Sequence, residues 1–139
     1  NDLPMSGAVF VSVKDRDKPG SVGIARTVVE LGFDLLATRG TAAALERAGL
    51  PVTVVNKVHE GRPHIVDLIK DGRVKLVINT TEGQQAIRDS YSLRRAALMA
   101  KLPYYTTLAG ARAVVAGLRE LSRNSLEATP LQHYGERAA

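Results

Sequence analysis

The sequence predicts an α/β fold in which a parallel sheet is covered by helices on both faces. Three observations lead there. Short β-branched runs alternate strictly with helical patterns, and each stretch between successive strands is long enough to hold the helix that a parallel crossover needs. The strands also read as nearly continuous apolar runs, as sheets buried on both sides require. Strand order does not follow from these observations.

The first strand is AVFVSV, residues 8–13. The helical stretch PGSVGIARTVVELG follows, with Pro19 suited to a first turn and Gly32 to the C-terminal end. FDLLAT (33–38) is the second strand and GTAAALERAG, closed by Gly49, the second helix. PVTVVN (51–56) reads as a third strand, HIVDLIKDG (64–72) as a short helix and VKLVIN (74–79) as the fourth strand. Residues 84–101, rich in Ala, Leu and Arg, are predicted helical, and Pro103 opens a brief fifth strand, PYYTT. The last helix, near 108–121, places Ala111, Val114, Val115, Leu118 and Leu121 on one apolar face. Beyond Ser122 the pattern fades into a tail, so a single domain with a core over about 7–121 is expected.

A length of 139 residues fits one domain with room for a core, and 45% hydrophobic with 24% charged residues are ordinary globular values. The absence of cysteine removes disulfides, thiolate nucleophiles and Cys-ligated zinc, and agrees with a cytoplasmic setting. No apolar run approaches the roughly 18 residues that span a bilayer, so no membrane partner is expected. The net charge of +5 is spread among acids, as in VKDRDK and LRELSR, and aromatics are only 4%, too few for stacking on nucleic acid. Affinity for small anions fits better. The chain opens at Asn1 rather than Met, which points to a piece of something longer, with Met5 as the alternative start.

In an open doubly wound sheet, ligands bind beyond the carboxyl ends of the strands, where the following helices point their N-termini. Here the strand ends deliver Lys14, Asp15, Asp17 and Lys18, then Thr38, Arg39, Gly40 and Thr41, then Asn56, Lys57 and His59, then Asn79, Thr80 and Thr81, and last Thr106 and Thr107. Hydroxyls, amides, lysines and free helix N–H groups suit an anion carried on a sugar or base, because phosphate oxygens only accept hydrogen bonds. The TRGT turn is the best single cradle: Gly40 lets the backbone approach and Thr41 stands near the helix start, although ordinary capping gives the same pattern.

Catalytic parts are scarce. There is no GxSxG elbow, no P-loop and no closely paired carboxylates. His59 and His64 flank EGRP without a third metal ligand, and Asp15 with Asp17 lacks the further Asp at the end of the third strand that a Mg²⁺ site would need; Asn56 and Lys57 stand there. Arg94 and Arg95 read as a solvated helix face. A polar pocket without an evident base looks like a binding site.

The segments NKVHEGRPHI (56–65), INTTEG and YYTTLAG, in unbroken order with SVKDRDK, ATRGT and DSYSLRR, give the chain a specific resemblance. Over roughly residues 7–121 it resembles the C-terminal allosteric domain of the carbamoyl-phosphate synthetase large subunit, in the methylglyoxal synthase-like domain family. The resemblance implies a three-layer α/β/α fold with a five-stranded parallel sheet in the order 3-2-1-4-5. It also implies a nucleotide-sensing regulatory domain that is itself noncatalytic and holds no cofactor. Catalysis, with ATP and Mg²⁺ or Mn²⁺, would belong to the synthetase domains of the same chain and the small glutaminase subunit, making carbamoyl phosphate for pyrimidines and arginine. The alternative is a stand-alone methylglyoxal synthase-like enzyme, or a binding protein for a small phosphorylated metabolite. Against the enzyme, the family's catalytic Asp segment aligns with EGRPH, where this chain has Arg62.

By the same resemblance, the effector pocket maps onto Lys18, Thr38, Gly40, Thr41, Lys57, Asn79, Thr80, Thr81 and Ser90, for a nucleotide monophosphate of the UMP or IMP kind. An ornithine contact at the border with the synthetase body falls at Tyr105 and Thr106. Bacterial members of the family carry Asp at the position of Tyr105, so a direct acid contact to the ornithine amine is missing here.

Overall fold

A computed structural model describes residues 6–138, with side chains described as far as residue 125, so Met5 and His133 lie outside the described residues and side chains. Five strands, β1 (Ala8–Ser12), β2 (Asp34–Ala37), β3 (Thr53–Val54), β4 (Val74–Asn79) and β5 (Tyr104–Tyr105), alternate with five helices. These are α1 (Lys18–Glu30), α2 (Arg39–Arg47), α3 (Ile65–Lys70), α4 (Gln84–Met99) and α5 (Leu108–Ala138). All pairings are parallel and the order is β3-β2-β1-β4-β5, so the expected architecture and order both hold.

Alternation along the strands sorts the core to the two faces. Val9 and Val11 join Leu35, Leu76 and Ile78 under α1, α2 and α5, while Ala8 and Phe10 join Leu36, Val74 and Val77 under α3 and α4. Ala8 pairs with Val74 but Val9 pairs with Leu76, so a bulge at Lys75 reverses the faces along β4. Pro19 sits in the first turn of α1, and Gly32, at φ +94°, carries the chain out of it toward β2.

The edges depart from the expected bounds. The third strand is Thr53–Val54 rather than 51–56 because it pairs only with β2, and Asn56 Nδ2 donates to the carbonyls of Gly61 and Pro63, drawing the chain away from the sheet. Thr106 and Thr107 leave the fifth strand. The Thr107 hydroxyl accepts the Gly110 N–H at 3.0 Å, which turns that segment into the start of α5. The last helix does not stop near residue 121 but runs to Ala138.

Candidate functional site

A cavity of about 470 Å³ opens at the carboxyl ends of β1, β2 and β4. Of the effector residues expected from sequence, Lys18, Thr38, Lys57, Asn79, Thr80, Thr81 and Ser90 line it. The parallel register brings them together: Ser12 stands level with Asn79, and Val11 with Ala37, so the residues just beyond each strand share one edge. The Ser12 and Thr38 hydroxyls bond each other at 2.9 Å, and the Thr80 hydroxyl accepts the Lys14 N–H at 3.0 Å, which ties the β1 exit to β4.

Thr38 occupies the N-cap position of α2 but makes no side-chain cap, because its hydroxyl is engaged with Ser12. The first-turn amides of α2 are therefore left without a capping side chain, and carry the positive end of the helix dipole. Thr41 and Gly40 do not line the cavity. Thr41 is buried, and its hydroxyl accepts the Val13 N–H at 3.1 Å, so it ties the start of α2 to the exit of β1. Gly40 makes room for Lys18: a Cβ there would stand 3.2 Å from Lys18 Nζ. Gly40→Ala should thus leave the melting temperature unchanged or raise it, since alanine at a helical position gains about 0.4–1 kcal/mol over glycine, while displacing the ammonium and weakening anion binding several-fold. Melts and phosphate-ester titrations of the variant check this pair of opposite effects.

Asn79 is fixed by two acceptors. Its Nδ2 donates to Ser90 Oγ at 2.9 Å and to the Tyr104 hydroxyl at 2.8 Å, and Ser90 in turn donates to the Ala86 carbonyl, so the amide cannot be reversed without breaking the set. Among the described residues nothing donates to Asn79 Oδ1, which is not sealed from solvent and remains the acceptor this side chain offers. Sequence reasoning overlooked the apolar part of the lining, Phe10, Ile65 and Leu93. Their apolar character marked them only as core. It also overlooked Ser12, counted as strand interior, and Asp89, which meets His59 Nδ1 across the rim at 2.5 Å.

Lys57 begins a 3₁₀ turn, Val58–Glu60, and the Glu60 carboxylate accepts its N–H at 2.7 Å. Arg62 grips Asp67 through Nε and Nη2, and the Asp67 carboxylate also accepts the His64 N–H at 2.9 Å, bracing the start of α3. The Arg62 hydrogen bond, with that N–H, holds the Asp67 carboxyl below its usual range. A depressed carboxylate stabilises the fold fully above its unfolded value near 3.8, and that contribution disappears as the pH falls through the lower folded value. Asp67→Asn should therefore be less stable than the parent at neutral pH, with the difference closing below about pH 4. Melts of both proteins between about pH 7 and pH 2 test it.

Tyr105 is half-buried against the α1 and α5 side of the core, and Thr106 is exposed just beyond β5. Neither lines the cavity. Among the described residues no group of three or more His, Asp or Glu could hold a metal ion, and no helix is long and apolar enough to cross a membrane. The two acids with defined partners at the cavity rim each meet a cation-forming group, Asp15 with Lys18 and Asp89 with His59.

A family model described as MGS-like domain matches residues 20–106. The chain is 52% identical over 135 residues to the carbamoyl phosphate synthase large chain of Rhizobium meliloti (strain 1021), a match that covers 97% of this chain and 12% of that one. It is 62% identical over 109 residues to the carbamoyl phosphate synthase large chain of Halomonas eurihalina, covering 78% and 10%. The chain thus spans only about a tenth of the length of these relatives. Among solved structures it is similar to methylglyoxal synthase from Elizabethkingia anophelis NUHP1, with a TM-score of 0.65 at 18% identity over 81% of this chain and 79% of that one. At that identity the likeness speaks for the fold alone.

Proposed function

The chain belongs to the MGS-like domain family, and from that premise we propose that it is the noncatalytic regulatory domain of a carbamoyl phosphate synthase large chain. Its effector is a nucleoside monophosphate of the UMP or IMP kind, bound at the strand ends. The observation that carries this reading is the lining of the cavity, which combines Lys14, Lys18 and Lys57 with the apolar Phe10, Ile65 and Leu93. Such a site matches a ligand with a phosphate at one end and a flat, weakly polar body at the other. Asn79 Oδ1 adds an acceptor for a ribose hydroxyl or a base N–H.

The noncatalytic reading is supported by the state of one carboxylate in the lining, Asp15. A general base for proton abstraction needs a pKa near the working pH. Asp15 is pulled the other way, its carboxyl held below the usual range by a hydrogen bond and the charge of Lys18. In this reading ATP with its divalent metal, bicarbonate and glutamine-derived ammonia are handled by the remaining synthetase domains and the small subunit, in the cytoplasm. Ornithine, if it acts, does so at the border near Tyr105 and Thr106.

Calorimetric titration of the chain with UMP, IMP and ornithine tests the reading, and failure of both nucleotides to bind would overturn it. Release of phosphate from dihydroxyacetone phosphate above a no-protein control would instead favour the stand-alone enzyme. The Asp15–Lys18 pair adds a prediction. Asp15 is almost fully exposed and neutralises a cation that the phosphate would use, so Asp15→Asn should tighten nucleotide binding by a few-fold. An isotherm equal to the parent's would show that the pair opens without cost.

A further inference from the structure

The large apolar side chains left exposed among the described residues gather on one helix. Ile87, Tyr91, Leu98 and Met99 of α4 are 46%, 71%, 76% and 79% exposed, against only Val54 and Leu121 elsewhere. Ile87, Tyr91 and Leu98 fall at spacings of four and seven, which places them in one stripe on the side of α4 opposite Leu93, Ala96 and Ala97. Arg94 and Arg95 share that stripe, and with Leu102 and Tyr104 its lower half forms a groove of about 430 Å³ between α4 and β5. Single exposed apolar residues are ordinary, whereas an apolar stripe rimmed by cations is the composition of a binding surface, where Tyr and Arg are enriched.

We infer that the outer face of α4, centred on Tyr91 and Leu98, is the surface against which an acidic, apolar-edged segment of the same long chain, lying outside these 139 residues, is packed. The inference rests on the reading of this chain as one unit of a synthase large chain. Two arguments choose the occupant. The matched large chains are several times longer than this one, so most of such a molecule is tethered beside the stripe at high effective concentration. A second copy is disfavoured by charge: antiparallel pairing of two α4 stripes about a two-fold axis between Tyr91 and Leu98 would bring Arg94 and Arg95 against themselves. Arg88 adds a third exposed cation along the helix, and the one acid of α4, Asp89, is turned to His59 at the cavity rim. Carboxylates are therefore what the face lacks.

The same face touches the effector site through two contacts. The Arg94 guanidinium lies 5.4 Å from the centre of the Tyr104 ring, and the Tyr104 hydroxyl accepts the Asn79 amide at 2.8 Å. A segment seated in the groove presses on the ring whose hydroxyl fixes a cavity residue, which gives an occupied cavity and a packed partner a shared group to compete for or reinforce.

The test uses the full-length large chain carrying p-benzoylphenylalanine at position 91, irradiated at low concentration and mapped by mass spectrometry. The expected result is an intrachain crosslink to a segment outside this domain that is rich in Asp and Glu beside apolar residues. Crosslinks between α4 peptides of two copies, or no crosslinked peptide at all, would overturn the inference. Adding Arg94→Gln with Arg95→Gln should cut the crosslink yield at least threefold, and an unchanged yield would overturn the acidic character assigned to the partner. Titration of the same chain with UMP and IMP is read separately: absent nucleotide binding refutes the effector reading, while the crosslink map still decides what covers α4.

Discussion

Lys57→Ala binds a nucleoside monophosphate roughly 10- to 150-fold more weakly than the parent, the expected effect of losing a charge-assisted hydrogen bond of about 1.5–3 kcal/mol. Lys57 is the lysine of choice for the test because its backbone is held independently of its ammonium. Glu60 accepts its N–H, and Asn56 ties the turn to Gly61 and Pro63, so truncating the side chain leaves the loop braced. Lys18 is less clean, since its ammonium is shared with Asp15 and packed over Gly40. Calorimetric titration with UMP and IMP, beside a thermal melt, checks the prediction. Equal affinity with an unaltered melt would remove Lys57 from the site.

Thr41→Val is expected to act on stability instead. The hydroxyl it removes is the acceptor for the Val13 N–H at a buried position, and valine keeps the shape while leaving that N–H unpaired. An orphaned buried donor costs about 1–3 kcal/mol, or a fall in melting temperature of roughly 3–10 °C for a chain of this size. Because the bond joins the exit of β1 to the first turn of α2, affinity for phosphate esters should fall as well, through the displaced helix start. Thr41→Ser, which keeps the hydroxyl, should recover most of both. A valine variant as stable as the parent would mean that another acceptor reaches Val13.

The fold and most of the cavity were legible because both follow from period and position. Strictly alternating elements force crossovers, and crossovers put every strand's exit on one edge, which is why Lys18, Thr38, Lys57 and Asn79 emerged from a reading of strand ends and then met in one cavity. Residue direction was the part that sequence could not supply. Thr38 and Thr41 are both threonines close to Gly40, yet one lines the cavity and the other faces the backbone of Val13, a difference of direction that residue type does not carry. Phe10, Ile65 and Leu93 were hidden for a related reason: a side chain that closes a core and one that walls a pocket have the same hydrophobicity. The strand bounds failed at the edges, where β3 and β5 have a neighbour on one side only and local turn chemistry at Asn56 and Thr107 decides where pairing ends.

Those abbreviated edges bear on how the protein behaves in a crowded solution. An open sheet ends in two rows of unpaired peptide groups, and each row is a template on which another chain can add a strand. Here both outer strands are two residues long, Thr53–Val54 and Tyr104–Tyr105, while the longer β1 and β4 lie inside the sheet. Two residues offer too little backbone to nucleate a cross-β stack, for which segments of about six or seven residues are typical. The folded domain is therefore guarded against strand-by-strand aggregation by the shortness of its own margins, and the hazard is deferred to the unfolded chain, where VFVSV and VKLVIN lose their neighbours.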